Sequence, residues 1–107
     1  MGLFNLFNSS NNINKELKRY ETTQGAVLLD VRTPFEYGSG HIPSSRNIPL
    51  DRITTCIDVI TDKSTPLFVY CQSGGRSARA ASALIKMGYS NVTNIGGIAS
   101  YKGRAEK

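Results

Sequence analysis

Long apolar runs are missing from this chain. The longest are Ala26-Val27-Leu28-Leu29 and Leu67-Phe68-Val69-Tyr70. A helix that crosses a bilayer needs about 20 apolar residues, so a membrane span is excluded. A secretion signal is also a poor fit. Met1-Gly2-Leu3-Phe4-Asn5-Leu6-Phe7 has no basic residue before its apolar stretch and runs into Asn and Ser. Myristoylation asks for Ser or Thr where Leu6 stands. The expected compartment is the cytoplasm. Basic runs are missing as well: only Lys18-Arg19 are adjacent, and no basic stripe alternates with aromatics. Nucleic acid is therefore not an expected partner. Cysteine occurs only twice, at Cys56 and Cys71, which is no disulfide framework in a chain without a signal sequence.

The 107 residues allow one domain and one core. Hydrophobic residues are 39% and charged residues 20%, an ordinary globular balance. Thirteen basic and eight acidic residues give a net charge of +5, which suits small anionic substrates. There is no internal repeat. A polar patch over residues 8–14 separates an apolar N-terminal segment from the main body, so residues 1–12 are expected to be an extension and 13–107 the domain.

Asn14 is expected to cap a helix through Tyr20, with Leu17 and Tyr20 on one face. Ala26 to Leu29 is continuously apolar and ends at Asp30, the pattern of a buried strand. Thr33-Pro34-Phe35-Glu36 starts a helix, with Thr33 as cap, Pro34 first and Glu36 closing a capping box; Gly38 and Gly40 stop it early. A short strand is expected at Arg46–Ile48. From Leu50, the residues Ile53, Cys56, Ile57 and Ile60 recur at helical spacing. Leu67–Tyr70 is a second buried strand, Arg76–Met87 a helix with Ala80, Leu84 and Met87 on one stripe, and Val92–Ile95 a last strand. Gly88 caps the long helix and Tyr89 packs back on it. Strands alternating with helices predict an α/β fold with a mostly parallel sheet, whose ligands bind at the carboxyl ends of strands.

Cys71 stands at such an end. It is followed by Gln72-Ser73-Gly74-Gly75, and a helix opens at Arg76 or Ser77. The glycines permit a tight loop whose N–H groups turn inward as an anion cradle. The helix adds its positive N-terminal end, and Arg76 adds a full charge. A cysteine in that setting has a lowered pKa and is held as the nucleophilic thiolate.

Several segments resemble the rhodanese-like family of single-domain sulfurtransferases over about residues 13–103. They are Leu29-Asp30-Val31-Arg32-Thr33-Pro34-Phe35-Glu36-Tyr37, Gly40-His41-Ile42-Pro43 through Asn47-Ile48-Pro49-Leu50, Cys71-Gln72-Ser73-Gly74-Gly75-Arg76-Ser77 and Gly96-Gly97-Ile98. The resemblance implies a three-layer α/β domain with a central, mostly parallel sheet flanked by helices. It implies that Cys71 takes a sulfane sulfur from a small anionic donor such as thiosulfate and holds it as a persulfide. The sulfur then passes to cyanide or a thiol, a protein thiol included. The N–H groups from Gln72 to Ser77 hold the anionic sulfur, and no metal or organic cofactor takes part. The chain departs from the family in having Ser44-Ser45 where Gly-Ala is common, and Tyr101 in place of a closing Trp.

Other residues read as structural. Asp30 ends a strand and accepts loop N–H bonds. Arg32 and Glu36 are expected to be a local ion pair and cap, and His41 belongs to a turn. Cys56 lies on an apolar stripe, and Arg79 either extends the positive mouth or is a solvated charge. Two further functions stand beside sulfur transfer. One is phosphatase or arsenate reductase chemistry, which related folds perform with a loop one residue longer. The other is a non-catalytic protein-binding module, whose members usually lack the cysteine. Nothing in the sequence specifies an oligomeric state.

Overall fold

The computed structural model describes residues 12–107. The apolar segment with Leu3, Phe4, Leu6 and Phe7 lies outside the described residues. Helix α1 (Ile13–Glu21) is capped by Asn12 rather than Asn14: Asn12 Oδ1 accepts the Lys15 N–H at 3.2 Å. The register follows from burial, because Ile13 and Leu17 are one turn apart and both enter the core, which places Ile13 inside the helix. Asn14 ties α1 to the C-terminal end. Its side chain donates to Ser100 O and accepts from the Lys102 N–H, both at 2.9 Å.

Strand β1 (Val27–Asp30) leads into α2 (Pro34–Ser39), which opens with the expected capping box between Thr33 and Glu36. Gly38 lies inside α2, and only Gly40, at φ +150°, ends it. Then come β2 (Arg46–Asn47), a 3₁₀ helix (Leu50–Thr55) that kinks at Arg52, and a short α3 (Cys56–Val59). The continuous helix expected from Leu50 is therefore two pieces. Ile53, Cys56 and Ile60 are buried, but Ile57 is exposed. Strand β3 (Leu67–Cys71) and α4 (Gly75–Lys86) follow, then β4 (Val92–Gly97) and a closing 3₁₀ turn (Ile98–Ser100). Beyond α4, Gly88 takes φ +106°, donates to Ile85 O, and lets the Tyr89 N–H reach Leu84 O at 3.1 Å. This is the paired hydrogen-bond closure that glycine makes possible after a helix.

Among the described residues the sheet has strand order β2-β1-β3-β4, and every pairing is parallel. Parallel strands are covered on both faces, so β3 is buried at every position. Its side chains alternate: Leu67, Val69 and Cys71 pack with Cys56, Ala80 and Leu84, while Phe68 and Tyr70 pack with Ile13, Leu17 and Ile95. The three layers are thus α3 and α4, the sheet, and α1. Ser44 adopts φ +71°, and its hydroxyl lies 3.0 Å from Tyr20 OH. Among the described residues no helix is long and apolar enough to cross a membrane.

Candidate active site

The strand order reverses direction between β1 and β3, because the chain leaves β1 toward β2 on one side and β3 lies on the other. Connections after these two strands diverge and leave a crevice at their carboxyl ends. Asp30 ends β1 opposite Tyr70, and Cys71 ends β3 opposite Gly97 of β4. Cys71 therefore belongs to the strand rather than following it, and its side chain turns to the α4 face.

Cys71 is only 1% exposed, and its sulfur is met by backbone donors. Gly74 N–H lies 3.0 Å from Sγ and Ser77 N–H 3.3 Å, with Ser77 Oγ at 3.4 Å. Burial pushes the thiol pKa up. Hydrogen bonds from the Ser77 side chain and from the Ser77, Gly74 and Ser73 N–H groups pull it down, and the balance lies below the ordinary thiol value. The loop reverses at Gly74, whose φ of +106° is a conformation that side chains avoid. Gly75 needs no such freedom: a Cβ there meets nothing within 4 Å. Gln72, Ser73 and Gly75 form the exposed rim, while Gly74 and Ser77 are buried. The first-turn N–H groups of Gly75 and Arg76 have no acceptor within α4, as at any helix start.

The two arginines take partners other than those expected. Arg32 does not pair with Glu36. It forks onto Asp30, with Nη2 2.7 Å from Oδ2 and Nε 3.1 Å from both oxygens, and its Nη1 reaches Gln72 Oε1 at 3.5 Å. Asp30 also accepts the Arg32 N–H at 2.9 Å, the loop-closing role read from the sequence. Glu36 keeps its cap on the Thr33 N–H and also receives Arg76, Nη1 to Oε1 at 2.7 Å and Nη2 to Oε2 at 2.9 Å. The guanidinium of Arg76 thus bridges the crevice to α2, and the hydrogen bonds to Cys71 come from Ser77 and the backbone. Sequence spacing hides this pair, because its members are 40 residues apart and the topology alone brings them together.

Two further residues support the loop: Asn94, which the sequence reading did not single out, and Gly97 of the segment Gly96-Gly97-Ile98. Asn94 Oδ1 accepts the Ser77 hydroxyl at 2.7 Å and the Gly96 N–H at 3.1 Å. The register shifts here by one residue, a bulge that puts Asn94 opposite Val69 and Gly96 opposite Tyr70. Gly97 faces the loop directly, since a Cβ on it would collide with Gln72 O and Ser73 Cα. His41 is engaged elsewhere: its ring stacks on Tyr37 at 3.8 Å, and Nδ1 lies 2.9 Å from Tyr37 O. Cys56 is fully buried, and burial raises its pKa. Arg79 is exposed.

A family model of the rhodanese-like domain matches residues 13–104. The chain belongs to the rhodanese-like family. It is 43% identical over 81 residues to the uncharacterized protein YqhL of Bacillus subtilis, which covers 74% of this chain and 63% of YqhL. It thus spans less than two thirds of that relative's length. It is 38% identical over 71 residues to the thiosulfate sulfurtransferase PspE of Escherichia coli, 65% of this chain and 68% of that protein. A solved rhodanese with anions from E. coli superposes with a TM-score of 0.71 at 32% identity, over 77% of this chain and 98% of the other. The rhodanese-like fold read from the sequence is therefore the fold observed, a parallel sheet between helical layers.

Proposed function

We propose that this rhodanese-like domain is a sulfurtransferase that works through a persulfide on Cys71. The observation that carries the reading is the buried Cys71 sulfur with N–H groups of Gly74 and Ser77 aimed at it. That arrangement stabilises a negative sulfur at the carboxyl end of a strand, where a donor can approach along the crevice. In the first step the Cys71 thiolate attacks the sulfane sulfur of a donor such as thiosulfate. A Cys71 S–S bond forms, the donor's S–S bond breaks, and sulfite leaves with the electron pair. In the second step cyanide or a thiolate attacks the outer sulfur. Thiocyanate or a new persulfide forms, and the Cys71 thiolate is regenerated. Between the steps the outer sulfur is held by the exposed rim of Gln72, Ser73 and Gly75 and the helix-start N–H groups of Gly75 and Arg76. A free thiol at Cys71 fits a reducing compartment such as the cytoplasm.

Mass spectrometry after incubation with thiosulfate tests the reading. The intact protein should gain the mass of one sulfur atom, and cyanide should remove it. Cys71→Ser should abolish the adduct and Cys56→Ser should keep it. An adduct on Cys56, or none from either thiosulfate or an organic persulfide donor, overturns the assignment.

A further inference from the structure

Both guanidinium groups that reach the loop from its two sides are already forked onto carboxylates: Arg32 onto Asp30 and Arg76 onto Glu36. The Arg32 pair is buried, its side chains 5% and 0% exposed, and belongs to the scaffold. The Arg76 pair is different. Its side chains are 31% and 30% exposed, so it stands at the mouth, where an incoming donor meets it. A thiolate attacking thiosulfate brings one negative charge against two. That encounter needs uncompensated positive charge near the sulfur, and each of these arginines carries a carboxylate instead.

We propose that Glu36 determines the class of sulfur donor: by holding Arg76 it withholds that guanidinium from the mouth and selects zwitterionic or singly charged persulfides over the thiosulfate dianion. With such a donor the Cys71 thiolate attacks the outer sulfur of R–S–SH. Cys71–S–SH forms, the R–S bond to that sulfur breaks, and R–S⁻ leaves with the electron pair. Atoms and charge balance without an oxidant, and little charge has to be gathered at the mouth. Glu36 stays ionised at any working pH, because the Arg76 hydrogen bonds hold its carboxyl at about 2. The inference rests on the proposed transfer through Cys71 and deepens it.

The Glu36→Gln variant separates charge from structure, because glutamine also closes a capping box with Thr33. The quantity to measure is a ratio: kcat/KM for thiosulfate over kcat/KM for cysteamine persulfide, whose ammonium offsets its sulfur charge. A partial loss of fold cancels in this ratio. In Glu36→Gln the ratio should rise on the order of tenfold, the effect of one freed charge at a half-exposed site. The gain should shrink as salt is raised, since it is electrostatic. The double variant Glu36→Gln/Arg76→Met should return the ratio to the wild-type value or below, because the gain requires the freed guanidinium. An unchanged or lower ratio in Glu36→Gln overturns the inference while sulfur transfer stands. So does a raised ratio that ignores salt or survives loss of Arg76. No sulfur uptake by the wild type from either donor overturns the transfer reading, and the inference falls with it.

Discussion

The Ser77 hydroxyl donates to Asn94 Oδ1 at 2.7 Å while its oxygen lies 3.4 Å from the Cys71 sulfur. A hydroxyl has one proton and two acceptor sites. With Cys71 as a thiol, the S–H points at Ser77 Oγ and the hydroxyl proton rests on Asn94. Ionisation of Cys71 removes that S–H, and the hydroxyl can then rotate its proton onto the sulfur. Ser77 thereby serves the protonated and the ionised cysteine in turn. Ser77→Ala keeps the backbone N–H and removes this exchange together with the hydroxyl's bonds to Asn94 Oδ1 and Gly74 O. A hydrogen bond to a charged group is worth about 1.5–3 kcal/mol, so the thiol midpoint should rise by about one to two pH units. Alkylation rate of the Cys56→Ser background against pH measures it. An unmoved midpoint would leave the backbone donors as the sole cause of the lowered thiol.

The pair between Glu36 and Arg76 has its own acid signature. Hydrogen bonds from Arg76 lower the Glu36 pKa from 4.5 to about 2, against the opposing effect of burial. A carboxyl whose pKa falls on folding stabilises the folded chain above its unfolded pKa. That contribution is lost as pH drops through the folded value. Wild type should therefore exceed Glu36→Gln in unfolding free energy at pH 6, by about 1 kcal/mol once solvent screening of a half-exposed pair is allowed for. The two curves should converge between about pH 4.5 and about pH 2. Urea titrations at several pH values give the difference directly. A gap that persists at the acid end would mean that the carboxylate charge is not its source.

The strands were legible because burial on both faces writes an unbroken apolar run, as at Leu67–Tyr70, and α2 because Thr33, Pro34 and Glu36 form a local capping signal. The cysteine loop was legible for the same reason: strand end, glycine and helix start are contiguous. Features set by distant contacts were not. Asn12 and Asn14 are equal as caps, and only the burial of Ile13 chooses between them. Arg76 reads as a free charge until the fold places Glu36 beside it. The role of Asn94 depends on a bulge in β4 where Gly96 takes φ +100°; a strand glycine signals a bulge but not which side chain will use it.

The glycines at the loop are not equivalent. Gly74 has φ +106°, so Gly74→Ala imposes a left-handed strain of about 1–2 kcal/mol and moves the N–H that lies 3.0 Å from the sulfur. Gly75 is the first residue of α4 with open space around its Cα. Gly75→Ala should stabilise the protein by about 0.4–1 kcal/mol by restricting the unfolded chain. Gly97→Ala should damage activity, because its Cβ must push Gln72 and Ser73 out of the loop. Denaturation midpoints and sulfur-transfer rates of the three variants, measured together, check this order. Equal stabilities for the Gly74 and Gly75 variants would contradict the conformational argument.

Phosphate and arsenate chemistry on a cysteine requires N–H groups arranged around a tetrahedral oxyanion that sits above the sulfur. Here the N–H groups of Gly74 and Ser77 converge on the sulfur itself, at 3.0 and 3.3 Å. Four residues between Cys71 and Arg76 close the turn this tightly. In a loop that forks an arginine onto the oxyanion, the guanidinium must also be free, but that of Arg76 is bound to Glu36 through both terminal nitrogens. Two features needed to stabilise an in-line phosphoryl transition state are therefore committed elsewhere. Charge alone does not discriminate, since a helix N-terminus favours either anion. Geometry does. The wild-type protein should transfer sulfur to cyanide and show no aryl-phosphate hydrolysis above the Cys71→Ser background. Inserting one glycine after Gly75 should depress sulfur transfer by spreading the N–H groups. The wild type assayed with both substrate classes side by side is the stricter measurement, because an insertion can also displace the start of α4. Cys71-dependent phosphatase turnover faster than sulfur transfer would show that the cradle is wider than its hydrogen bonds imply.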